Sequence, residues 1–180
     1  VKLAGLGDSN TWGYPFGPHH SWLQGVANKL SCQVFNHGIN GECVYDMRLR
    51  VPAVAQDQPD AIIIMGGTND AFEGIALAEL QREYRAIIDE LTVLTSCRIL
   101  IGLPIPLNHK VEELLAKEYR EWMKSFALEQ KIEVIDFYSA LLDSSTGGIR
   151  SEYNLDGVHP NQQGFERMAE EAVNTLLRKI

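Results

Sequence analysis

A serine hydroxyl is a weak nucleophile at neutral pH. It needs a base within hydrogen-bond reach, and the base needs an acceptor that holds its tautomer. The sequence offers such a set. Ser9 stands in Gly7-Asp8-Ser9-Asn10, directly after an apolar run, and Gly7 permits a tight turn out of that run. Asp156 and His159 stand in Asp156-Gly157-Val158-His159-Pro160, in one turn near the far end of the chain. His159 is expected to take the Ser9 proton, and Asp156 to orient the imidazole. Attack on a carbonyl develops an oxyanion, which needs hydrogen-bond donors. The candidates are the backbone N–H groups of Ser9 and Gly41 and the side-chain amide of Asn69. Each of these residues also has a plainer reading. Gly-Asp-Ser-Asn is turn composition, His159 precedes a proline at a helix start, Asn69 suits a helix cap, and Gly41 suits a turn.

The elements that must position these groups are visible in the hydropathy pattern. Apolar runs of strand length occupy residues 1–6, 33–36, 61–65, 98–103 and 132–137. Helical periodicity occupies 21–30, 47–54 (where Pro52 blurs the limits), 75–94, 111–130 and 161–179. In the segment 75–94 the apolar residues Leu77, Leu80, Tyr84, Ile87, Ile88 and Leu91 recur in steps that mark one face of a helix. Strands alternating with helices, without a linker, a repeat or a low-complexity stretch, predict a single domain over 1–180. They predict a three-layer α/β architecture around a five-stranded parallel sheet. In such sheets ligands bind beyond the carboxyl ends of the strands. The polar groups named above fall in loops that follow predicted strands.

These segments resemble the blocks of the SGNH, or GDSL-type, hydrolase family. Gly-Asp-Ser-Asn at 7–10 is similar to its nucleophile block, and Gly41 in Asn36-His-Gly-Ile-Asn-Gly-Glu resembles its glycine block. Gly67-Thr-Asn-Asp resembles the block whose asparagine is an oxyanion donor, and Asp156-Gly-Val-His159 resembles the closing Asp-x-x-His block. The blocks run in family order from 7 to 160, nearly the whole chain. The resemblance implies a flavodoxin-like α/β/α sandwich and hydrolysis of esters or thioesters through an acyl-enzyme, with no metal and no organic cofactor. One departure is Asn10, where leucine or isoleucine is frequent; that position carries no chemistry. The G-x-S-x-G signature of other serine hydrolases is absent.

Several neighbours invite a role. Trp12, Tyr14, Phe16 and Trp22 follow Ser9 and read either as core or as an apolar wall for the acyl or alcohol group. His37 precedes Gly41 and is a candidate to border the site. Asp8 and Asp70 read as braces for their loops. The Ser- and Gly-rich stretch 144–153 reads as a flap or as a plain loop. His109 is expected to start a surface helix. His19 and His20 lack a third ligand at diagnostic spacing, so no metal site is expected.

Composition narrows the partners. A formal net charge of −8 and the lack of any Lys/Arg cluster oppose nucleic-acid binding. No apolar run is long enough for a membrane span, so no stable membrane insertion is expected. Cys32, Cys43 and Cys97, odd in number and without a C-x-x-C pair, suit reduced thiols. No signal-like segment opens the chain, so the expected location is cytoplasmic. The expected partner is a small-molecule ester. A small-acyl or O-acetyl ester is favoured over a lysophospholipid or thioester. The rival from another class is a non-catalytic flavodoxin-like ligand-binding module.

Overall fold

The structure, a computed structural model, describes residues 1–178. Its strands are β1 (Lys2–Gly7), β2 (Gln33–Gly38), β3 (Ala61–Met65), β4 (Arg98–Gly102) and β5 (Glu133–Ile135). They form one parallel sheet in the order β2-β1-β3-β4-β5. The helices are α1 (Ser9–Trp12), α2 (Trp22–Leu30), α3 (Val44–Leu49), α4 (Val51–Gln56), α5 (Thr68–Phe72), α6 (Leu77–Leu94), α7 (Lys110–Gln130), α8 (Phe137–Leu141) and α9 (Gln162–Leu177). The order is that of a flavodoxin-like doubly wound sheet.

Side-chain alternation along the strands builds two cores. Ala4, Leu6, Ile62, Ile64 and Ile101 face one layer and pack with residues of α3, α4, α6 and α7, among them Met47, Val54, Tyr84 and Met123. Leu3, Ile63, Met65, Leu100 and Ile135 face the other layer and pack with Trp22, Val26, Phe165 and Met168 of α2 and α9. Because both faces are covered, β3 reads as an unbroken apolar run and every one of its residues is buried. Each fully buried Ile or Leu contributes about 1.5–3 kcal/mol of transfer free energy. Trp22 belongs to this core: it is fully buried and its ring lies 5.0 Å from that of Phe137.

Most limits fall within about two residues of the pattern reading, and two elements depart further, each for a local reason. The strand expected over 132–137 is shorter: Asp136 caps a new turn, accepting the Ser139 N–H at 2.9 Å, and Phe137 opens α8. The single helix expected over 47–54 is two. They break at Arg50, and Pro52 sits in the first turn of α4, where a missing N–H costs nothing. The last helix holds over its main length, while Lys179, included in the expected range, lies outside the described residues. Among the described residues no helix is long and apolar enough to cross a membrane.

The chain leaves β1 for β2 on one side and returns to β3 on the other. The carboxyl ends of β1 and β3 are neighbours, with Gly7 paired to Met65. That is the switch point where a doubly wound sheet opens a crevice. Ser9 follows β1, and Asn69 follows β3. The end of β2 presses on the same place: a Cβ at Gly38 would lie 2.2 Å from the backbone nitrogen of Trp12 in α1. Backbone cannot yield as a side-chain tip can. Gly38→Ala is therefore expected to lower stability by about 1–3 kcal/mol in urea denaturation, the usual cost of overpacking. An unchanged midpoint would contradict this contact.

Candidate active site

Ser9 is the first residue of α1. Asp8 caps that helix, its carboxylate accepting the Asn10 N–H at 2.9 Å, while its carbonyl accepts from Thr11 and Trp12. A first-turn residue has no carbonyl one turn earlier, so the Ser9 N–H lacks an intrahelical acceptor. The local sequence thus presents a hydroxyl and a spare backbone donor from one residue.

Ser9 Oγ lies 3.0 Å from His159 Nε2, and His159 Nδ1 lies 2.8 Å from Asp156 Oδ2. The other Asp156 oxygen accepts the N–H groups of Val158 and His159 at 3.0 and 2.8 Å. Partial burial pushes the Asp156 carboxyl up, but the His159 hydrogen bond and these two N–H bonds outweigh it and hold the group below the usual carboxylate range. An ionised acceptor on Nδ1 fixes the tautomer in which Nε2 is free to accept the serine proton. The Asp156 side chain is 43 % exposed and that of His159 17 %, so the arrangement opens to solvent on the Asp156 side.

The turn that carries this pair is tied down on several sides. Leu155 N–H donates to the His159 carbonyl at 3.0 Å, and Gly157 N–H donates to Asn154 Oδ1 at 2.7 Å. Asn108, in the loop after β4, donates its N–H to the Gly157 carbonyl at 2.9 Å and accepts the Ile149 N–H at 2.8 Å. Asn161 caps α9 and reaches back to the Glu152 carbonyl.

The expected oxyanion donors follow β2 and β3. Gly41 has φ +83°, in the left-handed region, and nothing would contact a Cβ there. Asn69, in α5, donates one amide hydrogen to the Glu42 carbonyl at 2.9 Å. A primary amide has a second hydrogen, which this bond leaves over. Asp70, its neighbour, accepts the Val44 N–H on both oxygens at 3.2 Å. Two consecutive residues of α5 therefore grip the segment that follows Gly41.

The carboxylates behind the site are costly to ionise. Burial pushes Asp8 up to about 7, against the Asn10 N–H bond and with help from the Asp70 charge. Burial likewise pushes Asp70 up to about 6, against its backbone N–H bonds. Cys43, beside the Gly41 loop, is pushed up to about 12 by burial and by nearby acids, Asp70 first among them. It stays a protonated thiol.

The remaining sequence candidates separate. The Tyr14 ring packs on the His159 imidazole with centroids 4.6 Å apart, and Tyr14 is 39 % exposed. Trp12 is half-buried in α1. His37 engages Asp57, with Nε2 2.5 Å from the carboxylate. His109 caps α7 at the surface and packs edge-on against Phe72. Among the described residues no His, Cys, Asp and Glu side chains converge as a metal-binding group. Cavities of about 410 and 400 Å³ open at the opposite edge of the sheet, lined by Ala55, Pro59 and Cys97 and by Leu3, Leu30 and Leu176. Their distance from Ser9 removes them from its chemistry. Pattern reading missed Asn108, Asn154, Glu42 and Arg50, all of which hold the loops. Asn154, two residues before Asp156 in a turn, carried a usable signal; the others carried none.

Fold and site together define a doubly wound α/β scaffold with a Ser-His-Asp hydrogen-bonded relay at the carboxyl edge of its sheet. The chain belongs to the GDSL-like lipase/acylhydrolase family, whose sequence model matches residues 6–167. It is 24% identical to esterase TesA of Pseudomonas aeruginosa over 179 residues, 95% of this chain and 85% of that one. It is 23% identical to the thioesterase 1/protease 1/lysophospholipase L1 of Escherichia coli K12, over 87% of this chain and 74% of that one. The solved structure of a protein assigned to the lipolytic G-D-S-L family from Desulfitobacterium hafniense superposes with a TM-score of 0.90 at 27% identity. That match covers 97% of this chain and 98% of the other.

The Asp8 environment makes a sign-definite prediction. Its folded-state value lies above the unfolded 3.8, so the folded protein holds a proton that the unfolded chain releases as pH rises from 3.8 to about 7. Asp8 therefore withdraws stability progressively across that window. Asp8→Asn keeps a capping oxygen and cannot ionise. Relative to the original protein, its stability is expected to improve steadily from pH 4 to pH 7 and then level off, as read from urea melts at each pH. A constant difference would contradict the burial of an ionisable Asp8.

Proposed function

We propose that the protein is a serine hydrolase of carboxylic esters working through an acyl-enzyme on Ser9. The observation that carries this reading is the unbroken relay from Ser9 Oγ through His159 to Asp156, at 3.0 and 2.8 Å. Ser9 Oγ attacks the acyl carbon as its proton passes to His159 Nε2. The ionised Asp156 stabilises the imidazolium so formed. Ser9 N–H, Gly41 N–H and the free Asn69 amide hydrogen receive the oxyanion. His159 returns the proton to the leaving alcohol. Water then attacks the acyl group as the same imidazole takes its proton, and His159 passes that proton to Ser9 Oγ as the acid leaves.

Small-acyl or O-acetyl esters are the preferred substrate class. The loops at the carboxyl edge are committed to holding the relay, which leaves little chain for a lid, and Asp156 is open to water. A second reading, a lysophospholipase or thioesterase, is favoured by four exposed apolar residues near the site: Tyr14, Ile39, Phe72 and Leu155, at 39, 44, 41 and 42 % exposure. A binding module would need neither the relay nor its tethers.

Hydrolysis of p-nitrophenyl acetate and butyrate tests the reaction. Ser9→Ala is expected to be inactive, and equal rates would defeat the reading. Asn69→Ala is expected to lower kcat by ~10²–10³ if its amide serves the oxyanion. A series of acyl lengths decides the substrate class: a preference for ten carbons or more would replace the first reading by the second.

A further inference from the structure

We propose that the Glu42–Arg50 ion pair is the positioning device of the oxyanion site. Gly41 cannot hold itself: its conformation is left-handed, it is exposed, and a Cβ there would touch nothing. Whatever places its N–H must act through the neighbouring residues, and the strongest anchor falls on Glu42. The Glu42 carboxylate takes Arg50 Nε at 2.9 and 3.1 Å and Arg50 Nη2 at 2.5 Å. The same Nη2 donates to the carbonyls of His37 at 3.1 Å and Gly7 at 3.4 Å, the carboxyl ends of β2 and β1. Gly7 lies two positions before Ser9 in the sequence. The main-chain carbonyl of Glu42 meanwhile accepts the Asn69 amide.

One residue is thus locked on both sides. Its side chain is tied through Arg50 to the strand that launches Ser9, and its carbonyl orients Asn69. The pair is partly shielded from water, with side chains 20 % and 16 % exposed, where a forked, charge-assisted contact is stronger than at an open surface. Both side chains are taken up by each other and, for Arg50, by the strand-end carbonyls, so they act through the loop as positioning residues. Arg50 sets how far the Gly41 loop stands from the ends of β1 and β2, and Glu42 passes that placement to the two donors supplied by the loop and by α5.

This inference rests on the reading of Gly41 and Asn69 as oxyanion donors, and the experiment separates the two. Glu42→Gln removes the charge and keeps the shape. Arg50→Lys keeps the charge and removes the fork. With p-nitrophenyl butyrate, and active sites counted by fluorophosphonate titration, kcat per active site is expected to fall about tenfold or more in each, the scale of a displaced donor. KM is expected to stay within about twofold, because the lost interaction belongs to the transition state. A purely structural role would lower the count of active sites and leave kcat per site unchanged, and that result would overturn the proposal. Coupling supplies a second readout: in an Asn69→Ala background the cost of Glu42→Gln is expected to shrink, since part of it acts through that amide. Full additivity would also count against it. If Arg50→Lys fails to fold, Glu42→Gln alone decides. If Asn69→Ala retains full kcat, the oxyanion reading itself falls; if Asn69→Ala is impaired while Glu42→Gln is not, only the positioning proposal falls.

Discussion

The contact between Ser9 Oγ and His159 Nε2 joins residues 150 positions apart in the chain. Both residues depend on the sheet for their meeting. The parallel sheet brings the two ends together by directing each of its strand ends to one edge. Its order opens a crevice between β1 and β3, and the chain crosses the remaining strands before returning with Asp156 and His159. Catalytic geometry tolerates about half an ångström of error. A sheet buried on both faces supplies the rigid base for that tolerance. The loops above it, lacking regular ladders, are fixed by side-chain hydrogen bonds from Asn108, Asn154 and Asn161.

Electrostatics divides the carboxylates around the site by environment. Asp156 is half open to water and accepts three hydrogen bonds, which hold its carboxyl below the usual carboxylate range beside the His159 imidazole. Asp8 is buried directly behind the nucleophile, and its charge is opposed by burial and by Asp70. That placement costs stability at neutral pH, and the cap it gives to α1 is what the placement secures. Glu42 has the forked partner that Asp8 lacks. Three carboxylates around one cleft thus have three different surroundings.

The core strands and the long helices were legible because their signals are local. Ile62, Ile63 and Ile64 belong to an unbroken apolar run of strand length, and Leu80, Tyr84, Ile87 and Leu91 recur at helical spacing. The Ser9, Asp156 and His159 cluster was legible as residue types on loops after strands, and the geometry brings those three within hydrogen-bond reach. Short elements were not legible. α1, α5 and α8 span only a turn or so each, too little for periodicity, and they exist because Asp8, Gly67 and Asp136 start them at a strand's end. Arg50 was invisible for another reason. In sequence it is a charged residue between two helices, and its meaning lies in two strand-end carbonyls and one carboxylate that only the folded chain assembles.

The proposed nucleophile is Ser9, activated by His159. A fluorophosphonate reacts far faster with a serine so activated than with an ordinary hydroxyl. Labelling the protein and mapping the adduct by peptide mass spectrometry tests the claim directly. One adduct is expected, on Ser9, and none after Ser9→Ala. Absence of labelling in the active protein, or an adduct on another residue with Ser9 unmodified, would contradict it.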